Sequence, residues 1–287
     1  MNKPKSTVTR IVSWAILALC TAYLVVPLLA QFDYSLRMRR GVLSFDAYTK
    51  VLEAPEGSFA VVDTEQGLEV KMPRFYSSLA FSVLAGVLTI AFSTLVIVPT
   101  TYWVHLRLPQ FKPVLEFISV LPFAIPGIVL TLGLLRTYSV PPFALTNTEA
   151  GTMLMLVGGY TVFVLPYSFR AIDAGLRAID IRTLTDAARS LGAGWATVIW
   201  RVILPNLRVA VISASLITFA VAIGEYALVN FLFPDERSFG SYLAAMGRNK
   251  IFEPAALTII SYLLTWVLVL LIQRIARGTS QPSAGIR

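Results

Sequence analysis

Charge is sparse in this 287-residue sequence: 14% of its residues are Asp, Glu, Lys or Arg, against roughly 25% in an average globular chain. Histidine and cysteine are scarcer still, one of each, His105 and Cys20. A single cysteine excludes an intramolecular disulfide. The pair leaves no His/Cys set for zinc, haem or an iron–sulfur cluster, and no Ser-His-Asp relay with a base to spare. No G-x-x-x-x-G-K-[ST] phosphate loop is present either, so the sequence has no means of cradling ATP by itself. What abounds is apolar, with 56% hydrophobic residues and a mean hydropathy of +0.71. This is the composition of an integral membrane protein.

Stretches free of charge and histidine run over 11–32, 75–104, 117–135, 150–169 and 254–273, and a sixth, 209–234, is interrupted only by Glu225. Each can cross a hydrocarbon core of about 30 Å as a helix rising 1.5 Å per residue. Runs such as 84–98 lack the apolar–polar alternation of a membrane barrel strand. The sequence therefore predicts an all-α membrane protein of six transmembrane helices: a tail at 1–10, one membrane domain over 11–277 and a second tail at 278–287. With both termini cytoplasmic, 14 Lys and Arg lie inside and 10 outside, and the strongly basic segment 170–208 decides the orientation. The formal charge of +8 is then the inner positive excess, and a nucleic-acid partner is unnecessary. Lys3, Lys5 and Arg10 ahead of a long apolar run read as an uncleaved first span, because the run exceeds a signal core of about 7 to 15 residues.

Helix breakers sit inside these spans: Pro99, the pair Pro122 and Pro126 with Gly127, and Gly158 and Gly159 ahead of Pro166. Each proline deletes a backbone donor, and in lipid the freed carbonyl must find a neighbouring helix, a hydroxyl or water in a cavity. Pro122 and Pro126 are thus candidates for a solute path, although a static kink has the same signature. Glu225 is the one ionisable residue in a span, at about 2.5 to 3.5 kcal/mol for mid-bilayer insertion. On a continuous helix it shares a face with Ala222, Thr218 and Ala214, small residues suited to helix contact or to a cavity wall. Glu225, Thr218, Tyr226 and Asn230 make the candidate path, and a structural glutamate bonded to Asn230 or a tyrosine is the alternative.

The inner segment 170–208 is too long for a turn and carries helical patterning, with Ile179, Leu184, Leu191, Val198 and Ile199 among charges. Small residues at Ala187, Ala188, Gly192, Ala193 and Gly194 form a knob that another backbone can approach, with Asp186 expected to complement a helix N-terminus. A partner-docking helix and an amphipathic helix lying on headgroups are the two readings. The spacing Asp186-Ala187-Ala188, Gly192, Val202, Leu204-Pro205 resembles the E-A-A-x-x-x-G-x(9)-I-x-L-P signature of inner-membrane permeases of binding-protein-dependent ABC importers (MetI-like fold), with Asp for Glu and Val for Ile. Gly224-Glu-Tyr226 looks most like the spermidine/putrescine branch.

That resemblance implies a coupling helix between helices 4 and 5, formed by Asp186, Ala187, Ala188, Leu191, Gly192, Ala193, Gly194, Leu204 and Pro205 and seated on a cytoplasmic ATPase. It implies two ATPase subunits that bind ATP and Mg, a second permease, identical or homologous, and an extracytoplasmic solute-binding protein. The chain itself, in the bacterial inner membrane among lipid, would bind no cofactor or metal and catalyse nothing. The outer loop 33–74, with Phe45 and Tyr48, and the turn 235–250 are expected to meet the binding protein or to be solvated connectors. Polyamine is the expected substrate, with iron(III), thiamine, phosphonate and sulfate branches beside it. A proton-coupled secondary transporter relying on Glu225 is the other class; an intramembrane enzyme would need paired groups that the spans lack.

Overall fold

The computed structural model describes residues 7–39, 42–54, 60–63, 68–71, 75–235 and 237–278. A long helix α1 (Thr7–Ser35) leads through a short α2 (Asp46–Glu53) to a small antiparallel hairpin, β1 (Ala60–Asp63) and β2 (Leu68–Lys71), and on to α3 (Phe75–Arg107). Next come α4 (Lys112–Val120), α5 (Gly127–Tyr138) and α6 (Glu149–Arg177), then α7 (Ile181–Ser190). A one-turn α8 (Trp195–Thr197), a π-helical stretch Val198–Ile203 and a one-turn α9 (Leu204–Asn206) lead into α10 (Arg208–Gly224). The chain closes with α11 (Ala227–Leu232), α12 (Phe239–Asn249) and α13 (Glu253–Gly278). The fold is helical as expected, with one small hairpin in the loop between α2 and α3, where the sequence is rich in β-branched valine (Val61, Val62 and Val70).

Among the described residues four helices are long and apolar enough to cross a membrane, α1, α3, α6 and α13, and two sharply bent pairs raise the number to as many as six. Pro109–Ala124 meets Gly127–Tyr138 at 103°. The stretch 117–135 is thus broken at the place where its proline pair and Gly127 interrupt the apolar run. Proline disfavours helical geometry in the residue before it, and here Ile125 is extended (ψ 115°) ahead of Pro126 (φ −58°, ψ 139°), which serves as the N-cap of α5. The second bend, 80°, lies at Leu207 between the α8–α9 segment and α10. The stretch 209–234 is also discontinuous: α10 ends at Gly224, Glu225 is extended (ψ 130°), and α11 starts two residues on. Glu225 is accordingly not on the body of a helix.

Small residues bring α3, α6 and α10 together, as they do where apolar side chains gain little by leaving lipid and close van der Waals approach must serve instead. On α3 the buried row is Ser78, Ser82, Gly86, Thr89, Ser93, Ile97 and Thr101, three or four residues apart and so on one face. Thr89 and Thr101 return their hydroxyls to carbonyls of their own helix at 2.7 Å, which lets polar side chains sit in the seam unpenalised. A Cβ on Gly86 would lie 3.1 Å from the Phe219 ring and 3.5 Å from Ala222. By contrast α1 packs mainly along α13, with Ser35 at its end meeting Tyr48 of α2, and Trp14, Leu19 and Tyr23 are 70 to 80% exposed, as suits a helix bathed in lipid. At the opposite end from α7, Val51 of α2 joins Phe75, Phe239, Tyr242, Met246 and Leu257 in one core. The Phe239 N–H donates to Ser82 Oγ at 2.9 Å.

Candidate functional site

The inner segment 170–208 begins inside α6, which continues to Arg177. Asp180, not Asp186, caps the next helix: its carboxylate accepts from the Thr183 N–H at 3.1 Å and from the Thr183 hydroxyl at 2.7 Å. Those donors hold the Asp180 carboxyl below the usual carboxylate range. The expectation that Asp186 complements a helix N-terminus is thereby corrected, since Asp186 sits in the second half of α7 and is exposed. The signal for the true cap is Asp180-x-x-Thr183, a short acceptor three residues ahead of a donor.

The end of α7 is a Schellman stop: Gly192 N–H bonds to Arg189 O at 3.0 Å and Ala193 N–H to Ala188 O at 3.1 Å. Gly192 has φ +81°, a left-handed geometry that a Cβ opposes by roughly 1–2 kcal/mol. The turn points its small groups and one large one outward. Asp186, Ala187, Gly192 and Gly194 are exposed and Leu191 is 89% exposed. Ala188 and Ala193 turn partly inward onto a core of Ile97, Tyr102, Ile181, Val198 and Ile203. Tyr102 Oη and Thr185 Oγ1, 2.8 Å apart, tie α7 to α3. Gly194 is the N-cap of α8. Leu204, half-buried, and Pro205, in the first turn of α9, end the motif where a missing N–H costs nothing.

Glu225, Tyr226 and Asn230 come together at the α10–α11 break. The Glu225 carboxylate accepts from the Leu228 N–H at 3.0 Å and the Val229 N–H at 3.3 Å, capping α11. Among the described residues neither Asn230 nor a tyrosine hydroxyl is its hydrogen-bond partner. Asn230 N–H bonds to the Tyr226 carbonyl, and Tyr226 Oη accepts from Arg248 at 3.3 Å. Thr218 is elsewhere, 1% exposed in the α6–α10 seam with its hydroxyl 3.4 Å from Ser168. Pro122 and Pro126 belong to the other break. The two breaks are neighbours all the same, because α11 packs on α5 and α6 at Gly159, where a Cβ would lie 2.5 Å from Leu228 and 3.2 Å from Leu134. A cavity of about 890 Å3 between α3 and α6, lined by Leu88, Leu95, Leu154 and Trp200 among others, contains none of these residues.

One cluster has no counterpart in the motif reading. Asp173, 10% exposed at the side chain, lies 2.6 Å from His105 Nε2, 2.5 Å from Arg177 and 3.7 Å from Lys112, and Arg177 reaches Glu116 at 3.2 Å. It fastens α3, α4 and α6 at the end where α7 begins. Its sequence signal is slight: a lone histidine just past one span and an acid four residues before an arginine past another.

Residues 107–278, more than half of the chain, match the family described as binding-protein-dependent transport system inner membrane component. The chain belongs to that family, a family of membrane permeases that are not themselves catalytic. It is similar to a ferric transport system permease protein of Haemophilus influenzae, FbpB 1, at 30% identity over 62% of this chain and 27% of that one. It is also similar to a 2-aminoethylphosphonate transport system permease, PhnV, of Salmonella paratyphi A, at 27% identity over 70% and 77% respectively. A spermidine/putrescine permease, PotB, of Haemophilus influenzae is 30% identical over 43% of this chain and 47% of its own length. The chain thus spans about a quarter of the length of the ferric relative. In fold it resembles a bacterial ABC transporter involved in the import of the acidic polysaccharide alginate, with a TM-score of 0.66 and 16% identity over 96% of this chain and 98% of the other.

Proposed function

We propose that this chain is one permease subunit of an ATP-driven importer in the bacterial inner membrane, with both termini and α7 on the cytoplasmic side. The exposed small-residue turn of α7 carries this reading. Ala187, Leu191 and Gly192 stand clear of the rest of the chain on a helix that is capped at both ends and tied to α3, so a load on the turn reaches the long helices. The occupant is an ATPase subunit, one of two that bind ATP and Mg. A second permease completes the path, and an outer binding protein delivers the solute to the cap built from α2 and α12. The apolar cavity and the separate location of Thr218 favour a path assembled between two subunits over one contained in a single chain.

The test is uptake into membrane vesicles: import should require ATP, stop with vanadate and continue when the proton gradient is collapsed. Uptake that follows the gradient and ignores vanadate would replace the importer by the secondary transporter. Within the importer class the polyamine reading rests on Glu225. Relatives carry the names of ferric, 2-aminoethylphosphonate and spermidine/putrescine permeases, so iron(III) and phosphonate stand beside it, as do the thiamine and sulfate alternatives of the sequence reading. The ligand that co-purifies with the binding protein decides among them.

A further inference from the structure

α7 has two flanks on either side of its exposed ridge. Ala187, Ser190 and Leu191 occupy one, and Arg182, Asp186 and Arg189 occupy the other, at the i, i+4, i+7 spacing of a single helix face. The second flank looks toward the end of α3. There Arg107, Arg182, Thr185, Asp186, Arg189 and Trp195 line a polar pocket of about 340 Å3. The guanidinium groups of Arg107 and Arg189 both lie against the Trp195 ring, 5.4 and 4.8 Å from its centroid, and Arg189 also donates to the Ala193 carbonyl at 2.9 Å.

Several arginines elsewhere pair with carboxylates, Arg37 with Asp33, Arg39 with Asp46, Arg177 with Asp173 and Glu116, and Arg237 with Asp235 and Glu149, whereas Arg136, Arg170 and Arg201 stand in no ion pair among the described residues. Among the described residues no carboxylate lies within ion-pair distance of Arg107, Arg182 or Arg189. Asp186 is the one acid in the lining, and Asp180 acts electrostatically on Arg182 from beside it, so three cations against these two anions still leave a positive excess. Planar guanidinium forks converging on a polar pocket are suited to a phosphate oxyanion. The depth is also informative. Arg107 is the last residue of the apolar α3, and Trp103 stands edge-on to Trp195 at 5.0 Å, a pairing of tryptophans with basic residues that marks a membrane–water boundary.

We propose that the Arg107–Arg182–Arg189 pocket binds a phosphate oxyanion, presented by the headgroup of an acidic phospholipid or as free phosphate. The bound group screens the three guanidiniums from one another and joins α7 to the end of α3, on the flank away from the small-residue turn. This rests on the membrane location of the chain and not on the docking of an ATPase.

The experiment is native mass spectrometry of the full-length chain titrated with phosphatidylglycerol, phosphatidylcholine or inorganic phosphate. Phosphatidylglycerol should bind more tightly than phosphatidylcholine. Arg182→Gln/Arg189→Gln should weaken phosphatidylglycerol about thirtyfold, from about 1 kcal/mol for each lost cation at a membrane surface, and leave phosphatidylcholine unchanged. Arg107→Gln, on another element, should weaken it about fivefold and decides the matter if the double variant does not fold. Displacement of the lipid by millimolar inorganic phosphate identifies free phosphate as the ligand, and resistance to it identifies the headgroup. Equal phosphatidylglycerol affinity in wild type and folded variants overturns the proposal. So does loss of a co-purifying ATPase from the variants with lipid binding unchanged, which would make the pocket a protein contact.

Discussion

Adjacent glycines on α6 have opposite duties. Gly158 faces open space, whereas a Cβ on Gly159 would sit 2.5 Å from Leu228 Cδ2. Gly158→Ala should be neutral or slightly stabilising, because alanine is the better helix former by about 1 kcal/mol. Gly159→Ala should overpack the junction of α5, α6 and α11 and cost about 1–3 kcal/mol, read as a lower unfolding midpoint in detergent. Equal midpoints would mean that the junction is looser than its contacts indicate. Glu225 poses a sharper question, since its oxygens serve the Leu228 and Val229 N–H groups. Glu225→Gln keeps a carbonyl oxygen for that cap and removes the charge. For a polyamine path it should slow uptake severely with the yield of folded chain preserved, and wild-type uptake would remove Glu225 from the path. The presence of this lone acid was legible in the sequence. Its use as a cap was not, because that depends on a helix break that an apolar run conceals.

The breaks are the element-scale lesson. Pro126 gives a local signal for its bend, since the pre-proline preference acts on Ile125 without a tertiary partner, although Pro99 and Pro166 sit inside unbroken helices. The stop at Gly224 has no such local announcement: the run 209–234 contains no proline before Pro234, and α11 is aligned by packing on α5 and α6. The inner helix falls between these cases. Its location follows from charge and small residues, but its start belongs to Asp180 through hydrogen bonds with Thr183. Asp180→Ala should therefore loosen α7, seen as faster amide exchange over Ile181–Ser190 than in wild type, while Asp186→Ala should leave that exchange unchanged. Faster exchange in Asp186→Ala alone would return the capping role to Asp186. Gly192→Arg is a poor probe of docking, because φ +81° penalises any side chain before a partner is met. Ala187, exposed on regular helix, has no such complication.

For the whole molecule, sidedness follows from placing α2 and α7 at opposite ends of the long helices. Positions 58 and 283, attractive for labelling on sequence grounds, lie outside the described residues; exposed Lys50 and Ser190 replace them. An impermeant thiol reagent on intact cells should label Lys50→Cys and not Ser190→Cys, with native Cys20 silent on the lipid-facing α1. Labelling of Ser190→Cys from outside would invert the chain. The count of apolar stretches is a property of composition and was readable at once; the angles of the two bent pairs depend on packing between distant elements.

The assembled complex provides the most direct measurement: the amount of ATPase that co-purifies with the Ala187→Arg chain, and its stimulated hydrolysis, against wild type at equal chain yield. Under the proposed docking, a bulky cation on the flank formed by Ala187, Ser190 and Leu191 would overfill the contact and bury an unpaired charge. Docking through α7 requires that ATPase recovery and stimulation both fall sharply. Normal stoichiometry with full stimulation would contradict it.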